Sequence, residues 1–473
     1  MTRIVFQLSN ARGPEGEPAV SLSLMPKDLD SQEVPFSCSA AEDVFVATTQ
    51  QVIDPDSIKL AGCRLFEAVS THPDIELQLK AALVNEQVKP VYVWFATKDG
   101  VEMLPWEAMW APSGPALGLD ERWAIGRMAT AKAGTSNFHT LEPPIRIAAV
   151  LSCRGITAKG ELAALRKAIE AAPDEVQLLV LSSEEPLITE LQAEIDAGAA
   201  RGVRVELIPS DLALLQRRVK EFRPHLLHFF CHGSVAGGPH IQLAVKSDWE
   251  IPQPSRGMTA EAGQFREFRR DGDELWLIVL NCCESAKPDP SADSQSLALA
   301  LIREGHAPAV IAMREPVVQK VTASLTSSFY NKLLSDLSDR LQAPGPPKPL
   351  DWARMIVAAR HELARGRDDM LFSQAAASTK EWTLPVVYVN PDEFHVQVAP
   401  ARLPPLPTRG GAEPPTVAER VARLEIAALQ SLLRSLPPGQ ASDLRSEAVT
   451  RMRELAAQLG IELPPASLDP GGN

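Results

Sequence analysis

Residues 145–234 carry the pattern that decides the fold. They read IRIAAVLSC (145–153), ELAALRKAIEAA (161–172), VQLLVLSS (176–183), PLITELQAEIDAGAARG (186–202), VRVELIPS (203–210), DLALLQRRVKEF (211–222) and LLHFFCHGS (226–234). Short, almost wholly apolar runs alternate with longer runs whose apolar residues recur at helical spacing. A strand that is apolar on both sides needs cover on both faces, and the intervening helices can supply it. The alternation predicts an α/β fold with a doubly wound, mostly parallel sheet flanked by helices. Similar strands recur in LWLIVLNCC (275–283) and APAVIAM (307–313). In sheets of this kind, reacting groups gather at the carboxyl ends of strands.

Toward the N-terminus, RIVFQLS (3–9) and AVSLSL (19–24) read as strands joined by the turn-rich ARGPEGEP (11–18). A helical region is expected from about Ala41 to Asn85, with Leu60, Leu65 and Val69 facing the core. PVYVWFATKDGVEMLPWEAM (90–109) reads as strand, Asp-Gly turn, strand. Toward the C-terminus come the proline-rich loop LQAPGPPKP (341–349), the helix LDWARMIVAARHELA (350–364) and a last strand, WTLPVVYVN (382–390). Proline and glycine density marks a linker up to Pro415, followed by two helices at about 416–436 and 440–459. Thr416 and Glu419 match a capping box, and Val417, Val421, Leu424, Leu432 and Leu436 suit one face of a helical hairpin. The expected division is an N-terminal strand/helix lobe at 1–140, an α/β domain at 141–392, a linker at 393–415 and a hairpin tail at 416–463.

The chain has 473 residues, 45% of them apolar, so a sizeable core can form. A net charge of -13 argues against nucleic-acid or anionic-membrane partners, which need a basic face. The start, MTRIVFQLSN, lacks a signal-peptide apolar stretch, and no apolar run reaches spanning length. Six scattered cysteines without Cys-x-x-Cys spacing fit a reduced, cytoplasmic protein better than a disulfide or metal scaffold. There is no phosphate loop, no His-Glu-x-x-His and no Gly-x-Ser-x-Gly, which argues against nucleotide hydrolysis, a zinc peptidase and an ordinary serine hydrolase.

Two strand ends carry reactive groups. HFFCHG runs into His232-Gly233, and VLNCCES into Cys282-Cys283-Glu284-Ser285, with Cys283 51 positions after His232. Peptide cleavage by cysteine needs a thiolate, and a neighbouring imidazole can take the thiol proton and later protonate the leaving amine. A glycine after the histidine lets its backbone N–H approach a substrate carbonyl, forming an oxyanion hole with the N–H of Cys283. Strand alternation points the two adjacent thiols in opposite directions, so one of them should face His232. A lone cysteine at a strand end is more often buried filler, and a lone His-Gly is usually a turn. What matters is their joint occurrence on successive strand ends.

HFFCHG and LNCCES resemble the His-Gly and Asn-Ala-Cys-Glu motifs of CHAT domains, a branch of the caspase-like cysteine peptidases. Leu104-Pro105-Trp106-Glu107, Ile125-Gly126-Arg127, Ala309-Val310-Ile311-Ala312, Phe329-Tyr330 and Ala358-Ala359-Arg360 are similar to further landmarks in family order. The resemblance spans about residues 40–392. It implies a caspase-like fold, with Cys283 as nucleophile, Cys282 in the family's alanine position, and His232 rather than His228 as proton partner. Trp106 reads as core, Glu107 as an ion-pair partner, His228 as structural, and Cys231 as a small core or near-site residue. Glu284 and Ser285 either border the S1 pocket or cap a helix. Arg314 and Glu315 follow strand APAVIAM, where such enzymes build specificity. Met-Arg-Glu-Pro stands there in place of the usual tryptophan, so the preferred P1 residue is left open. No metal or organic cofactor is implied, although some caspase-like enzymes use calcium for activation. The resemblance further implies a protein substrate and a regulated effector in bacterial signalling, defence or cell death. A regulatory protein partner could dock on the C-terminal helices, or those helices could simply pack back on the catalytic domain. A catalytically silent scaffold of the same fold and a flavodoxin-type binding protein are the competing readings.

Overall fold

The structure is a computed structural model. It describes residues 3–13, 17–26, 32–36, 55–96, 101–132, 136–170, 175–246, 257–270, 272, 274–288, 295–316, 319–343, 345–365, 380–399, 422, 425–426, 429 and 442–459. Two compact units result, Met1–Pro400 and Ala401–Asn473.

In the first unit the strands follow in chain order: β1 (Ile4–Arg12), β2 (Pro18–Met25), β3 (Val34–Pro35), β4 (Val91–Phe95), β5 (Ile125–Met128) and β6 (Phe138–Leu141). Then come β7 (Ile145–Leu151), β8 (Val176–Ser182), β9 (Val203–Leu207), β10 (Leu226–Phe230), β11 (His232–Ser234) and β12 (His240–Leu243). The last are β13 (Met258–Glu261), β14 (Leu277–Asn281), β15 (Ala309–Met313), β16 (Lys348–Pro349), β17 (Pro385–Val389) and β18 (His395–Val398). Twelve of them build one sheet in the order β3-β2-β1-β4-β5-β17-β15-β14-β10-β7-β8-β9. Pairing is parallel except at β3-β2, β2-β1 and β17-β15. The antiparallel β17-β15 seam joins two parallel blocks that run in opposite directions.

Burial explains which strands read as continuous apolar runs. In β10, β14 and β15 every residue is buried, as expected under two layers of helix. In β1, by contrast, Ile4, Phe6 and Leu8 are buried while the intervening residues are not, so this strand alternates. Two buried apolar clusters lie on opposite faces of the sheet. One contains Leu227, Phe229, Ile278 and Leu280, and the other Leu226, Phe230, Leu277 and Val279.

Three expectations are corrected. The expected hairpin after β4 does not form: Val101–Met103 and Trp106–Ala108 are short 3-10 turns, and β4 instead pairs parallel with β5. Pro105 has no N–H for a sheet ladder, and Trp106 is fully buried with its indole donating to Val101 O at 2.9 Å. The Asp99-Gly100 turn lies outside the described residues. In the helix Pro55–Val69 the core face is Ile58, Ala61, Leu65 and Val69, whereas Leu60 is 54% exposed. At 100° per residue, Leu60 falls about 140° from Leu65 around the helix, off the buried stripe. The stretch read as linker from residue 393 begins instead with β18, which pairs with β16 and β6. Its alternating Phe394 and Val396 are buried, which ties the chain to the sheet unit.

Glu107 and Arg127 form a fully buried two-pronged pair, Nε–Oε1 2.9 Å and Nη2–Oε2 2.7 Å. Burial would raise the Glu107 carboxyl, but the Arg127 guanidinium outweighs it and holds the group below its ordinary range. In the second unit the helix Ser442–Leu459 buries Ala448, Met452, Leu455 and Ala456. Leu455 and Ala456 cluster with Ala422 and Ile426, and Arg451 pairs with Glu425 at 2.9 Å. Thr416, Glu419, Val417, Val421, Leu424, Leu432 and Leu436 lie outside the described residues. No helix among the described residues is long and apolar enough to cross a membrane.

Candidate active site

Three neighbouring parallel strands, β7, β10 and β14, end at one rim of the sheet. The register pairs Leu151 with Phe230 and Phe230 with Asn281. Two residues further along each chain stand Cys153, His232 and Cys283. These positions share the strand parity of Leu151, Phe230 and Val279, which belong to one buried cluster that also contains Cys153. Cys231 and Cys282 have the opposite parity and belong to the cluster on the other face. Cys282 is 1% exposed and Cys231 3%, whereas Cys283 and His232 are partly exposed.

The two motifs touch through their backbones. A Cβ on Gly233 would lie 2.0 Å from the carbonyl oxygen of Cys283 and 3.6 Å from the Cys282 sulfur. No side chain fits there, which gives the glycine a physical reason. Immediately after β10 the chain turns at Cys231 into β11, which pairs antiparallel with β12, itself paired with β13. Ser152 Oγ donates to Ala244 O at 2.6 Å and anchors this small sheet to the end of β7.

His232 Nε2 lies 2.8 Å from the carbonyl oxygen of Arg154 and 3.6 Å from Cys153 Sγ. A carbonyl can only accept, so Nε2 carries the proton in this contact and Nδ1 is left as the basic nitrogen of the neutral ring. Cys153 was not singled out from the sequence, although SC (152–153) ends an apolar strand just as CC (282–283) does. The Arg154 carbonyl has no sequence signature at all. Burial first, and then the nearby Cys283, push the Cys153 thiol up to about 12. Burial and a hydrogen bond with Cys282 push Cys231 well above its ordinary value.

Glu284 has φ of 56°, a left-handed conformation that turns the chain sharply after Cys283, and its carboxylate meets Lys287 Nζ at 2.6 Å. The expectation that Ser285 borders the pocket is corrected. It is buried, its hydroxyl shared between Leu280 O at 3.2 Å and Cys282 O at 3.0 Å, and it accepts from Met313 N at 2.9 Å. It therefore ties the turn to β15 rather than facing a substrate. Its carbonyl oxygen also accepts from Ala298 N at 3.0 Å, in the first turn of the helix Leu297–Arg303, so Ser285 caps that helix through its backbone beside the N-cap side chain of Ser296. Arg314 is buried and Glu315 nearly so, both at the end of β15.

His228 is fully buried inside β10, away from the rim. Its Nε2 lies 2.9 Å from Glu161 Oε1, and Tyr330 Oη approaches its Nδ1 at 3.2 Å. The same Glu161 oxygen accepts from Asn281 Nδ2 at 2.8 Å. A buried polar network thus sits beneath the strand ends that present His232 and Cys283.

No curated protein matches the chain. Among solved structures it is similar to a chain of the Saccharomyces cerevisiae separase–securin complex at 12% identity, with a TM-score of 0.37, covering 73% of this chain and 18% of that one. It is also similar to a structure described as that of a protease, at 11% identity and a TM-score of 0.36, covering 74% and 73%. The chain thus spans less than a fifth of the separase chain's length. The CHAT domain family matches residues 61–343, more than half of the 473 residues and inclusive of both motifs. The chain belongs to the CHAT domain family.

Proposed function

We propose that this chain is a regulated, caspase-like cysteine endopeptidase that hydrolyses peptide bonds within proteins. The observation that carries the reading is the shared rim of the sheet: His232 and Cys283 each stand two residues past Phe230 and Asn281, the paired last residues of adjacent parallel strands, and their motifs meet at Gly233. In the proposed cycle the Cys283 thiol loses its proton to His232 Nδ1, and the thiolate sulfur attacks the substrate carbonyl carbon. The backbone N–H groups of Gly233 and Cys283 hold the resulting oxyanion. Collapse of the tetrahedral species breaks the C–N bond, and His232 returns the proton to the leaving amine. Water activated by the same imidazole then cleaves the thioester and regenerates the thiol. The Arg154 carbonyl keeps Nε2 protonated, so the ring presents its base from the other nitrogen.

We place the enzyme among effectors of bacterial signalling, defence or cell death, acting in the cytoplasm, with a regulatory protein docking on the C-terminal helices. The test is labelling by a cysteine-directed peptidyl electrophile, together with cleavage profiling of a proteome digest. Loss of both in Cys283→Ala, with retention in Cys282→Ala, is expected. Labelling and cleavage that persist without Cys283 would refute the assignment and leave a scaffold that retains the fold.

A further inference from the structure

The turn after Cys283 and the segment after β15 enclose a cleft of about 190 Å³, lined by Met103, Ala286, Lys287, Pro288, Arg314 and Glu315. It opens three residues beyond the proposed nucleophile and one strand over, where the side chain on the acyl side of a scissile bond would enter. Its charged groups are not equally committed. Lys287 is held by Glu284 at 2.6 Å. Glu315 is held by Lys380 at 2.5 Å through one oxygen and by Arg314 Nη2 at 3.3 Å through the other. Glu107, on the core side, is taken up by Arg127. Arg314 is 3% exposed, and beyond Glu315 its Nη2 reaches Thr383 Oγ1 at 3.4 Å. Its Nε and Nη1 have no hydrogen-bond partner among the described residues.

A buried guanidinium with idle donors is unfavourable unless an acceptor completes it, and a carboxylate is the acceptor it matches best. Burial also holds the Arg314 guanidinium below its ordinary value, although it remains the charged form at neutral pH. A basic side chain entering the same cleft would meet Arg314 and Lys287, with both Glu315 oxygens already occupied. Building on the peptidase reading, we propose that this cleft is the pocket for the P1 side chain, that it takes an acidic residue, and that Arg314 is the residue that selects it.

The experiment compares kcat/KM of the full chain for peptides that differ at P1 alone: Asp, Glu, Asn, Leu and Arg. Wild type is expected to favour Asp or Glu over Asn on the order of 100-fold, the range for a charge-assisted hydrogen bond. In Arg314→Gln the Asp-to-Asn ratio should fall by a similar factor, and being a ratio it is insensitive to a partial loss of folded protein. Should that variant fail to fold, wild-type inhibition by peptide aldehydes bearing P1 Asp or Asn decides, and equal inhibition overturns the assignment. Cys283-dependent cleavage after Leu or Arg overturns the Arg314 assignment but leaves the peptidase standing. An acidic preference unchanged in Arg314→Gln overturns it as well. No Cys283-dependent cleavage of any peptide overturns both readings together.

Discussion

Gly233→Ala adds a single carbon at the place where the two motifs meet. In the structure that carbon would lie 2.0 Å from Cys283 O, 3.2 Å from Cys283 C and 3.6 Å from Cys282 Sγ. Cβ atoms essentially never approach a heavy atom closer than 3.0 Å, so the two backbone segments must part by 1 Å or more. Neither contact is the far end of a flexible side chain. Both segments are also held from behind, β10 and β14 by their ladder and the turn by Ser285. Overpacking of this kind costs about 1–3 kcal/mol of stability. A displacement of about 1 Å between reacting groups costs on the order of 10²-fold in rate. The loss of kcat/KM, and of the second-order rate of Cys283 labelling by a peptidyl electrophile, should therefore exceed what the lost stability accounts for. Denaturant unfolding supplies the stability and active-site titration the fraction of competent protein. A Gly233→Ala enzyme with wild-type kcat/KM and labelling rate would show that His232 and Cys283 do not act across this contact.

Truncation of Arg127 to Met leaves Glu107 buried without its partner and should cost about 3–5 kcal/mol in denaturant unfolding; a change below about 1 kcal/mol would contradict the buried pair. Because the Glu107 carboxyl is held below its ordinary value of 4.5, the stability it contributes is complete above that pH. That contribution is lost as pH falls through the depressed folded value, so wild type and Glu107→Gln should converge in acid. His225 behaves with the opposite charge: burial, and then Arg146, lower it from 6.5 to about 3, so it stays neutral in the fold while the unfolded chain takes up a proton. Between those two values wild-type stability should rise with pH by up to about 1.4 kcal/mol per unit from this group, and His225→Gln should flatten that part of the slope. Ser285→Ala removes the acceptor of the buried Met313 N–H and should cost about 1–3 kcal/mol, measured by the same unfolding titration.

What was legible in the sequence was what burial on two faces imposes on composition. β7, β8, β10, β14 and β15 are each almost wholly buried, and each reads as a mainly apolar run, broken only by single polar residues such as Arg146, Gln177 and His228. Constraints that operate between distant segments were not legible. That β17 runs antiparallel to β15 yet parallel to β5 depends on how the N-terminal strands dock, and no local pattern records it. After β4, the Asp-Gly signal suggested a hairpin, but Pro105 and the buried Trp106 indole forced 3-10 turns instead. The placement of His232 and Cys283 at one rim of the sheet was legible because each follows an apolar run directly. Cys153 follows one too, but its relation to His232 depends on the order of β7 and β10 in the sheet. The Arg154 carbonyl is a backbone group any residue would supply. Between the two readings of Ser285, pocket border or helix cap, sequence adjacency cannot choose because it says nothing of direction: one residue after a left-handed Glu284, its side chain points back into the sheet while its carbonyl meets Ala298 N.

Four thiols crowd this rim, and their different surroundings separate their chemistry. Cys231 and Cys282 share the far face, both almost wholly buried, and Cys231 is pushed well above its ordinary value by burial and its bond to Cys282. Cys153 stands beside the imidazole, within 3.6 Å of Nε2, yet the nitrogen it meets is the one that donates to Arg154 O and has no lone pair to take a thiol proton. With its thiol at about 12, its thiolate fraction at pH 7 is on the order of 10⁻⁵. Being 4% exposed, it also offers an incoming carbonyl little approach. Cys283 differs from the other three: it is partly exposed, it stands two residues past β14 on the opposite side of β10 from Cys153, and it precedes Ala286 of the Arg314 cleft by three residues. In the proposed mechanism the hydrogen-bonded nitrogen of His232 meets the buried thiol of Cys153, and Nδ1 is the nitrogen left for Cys283.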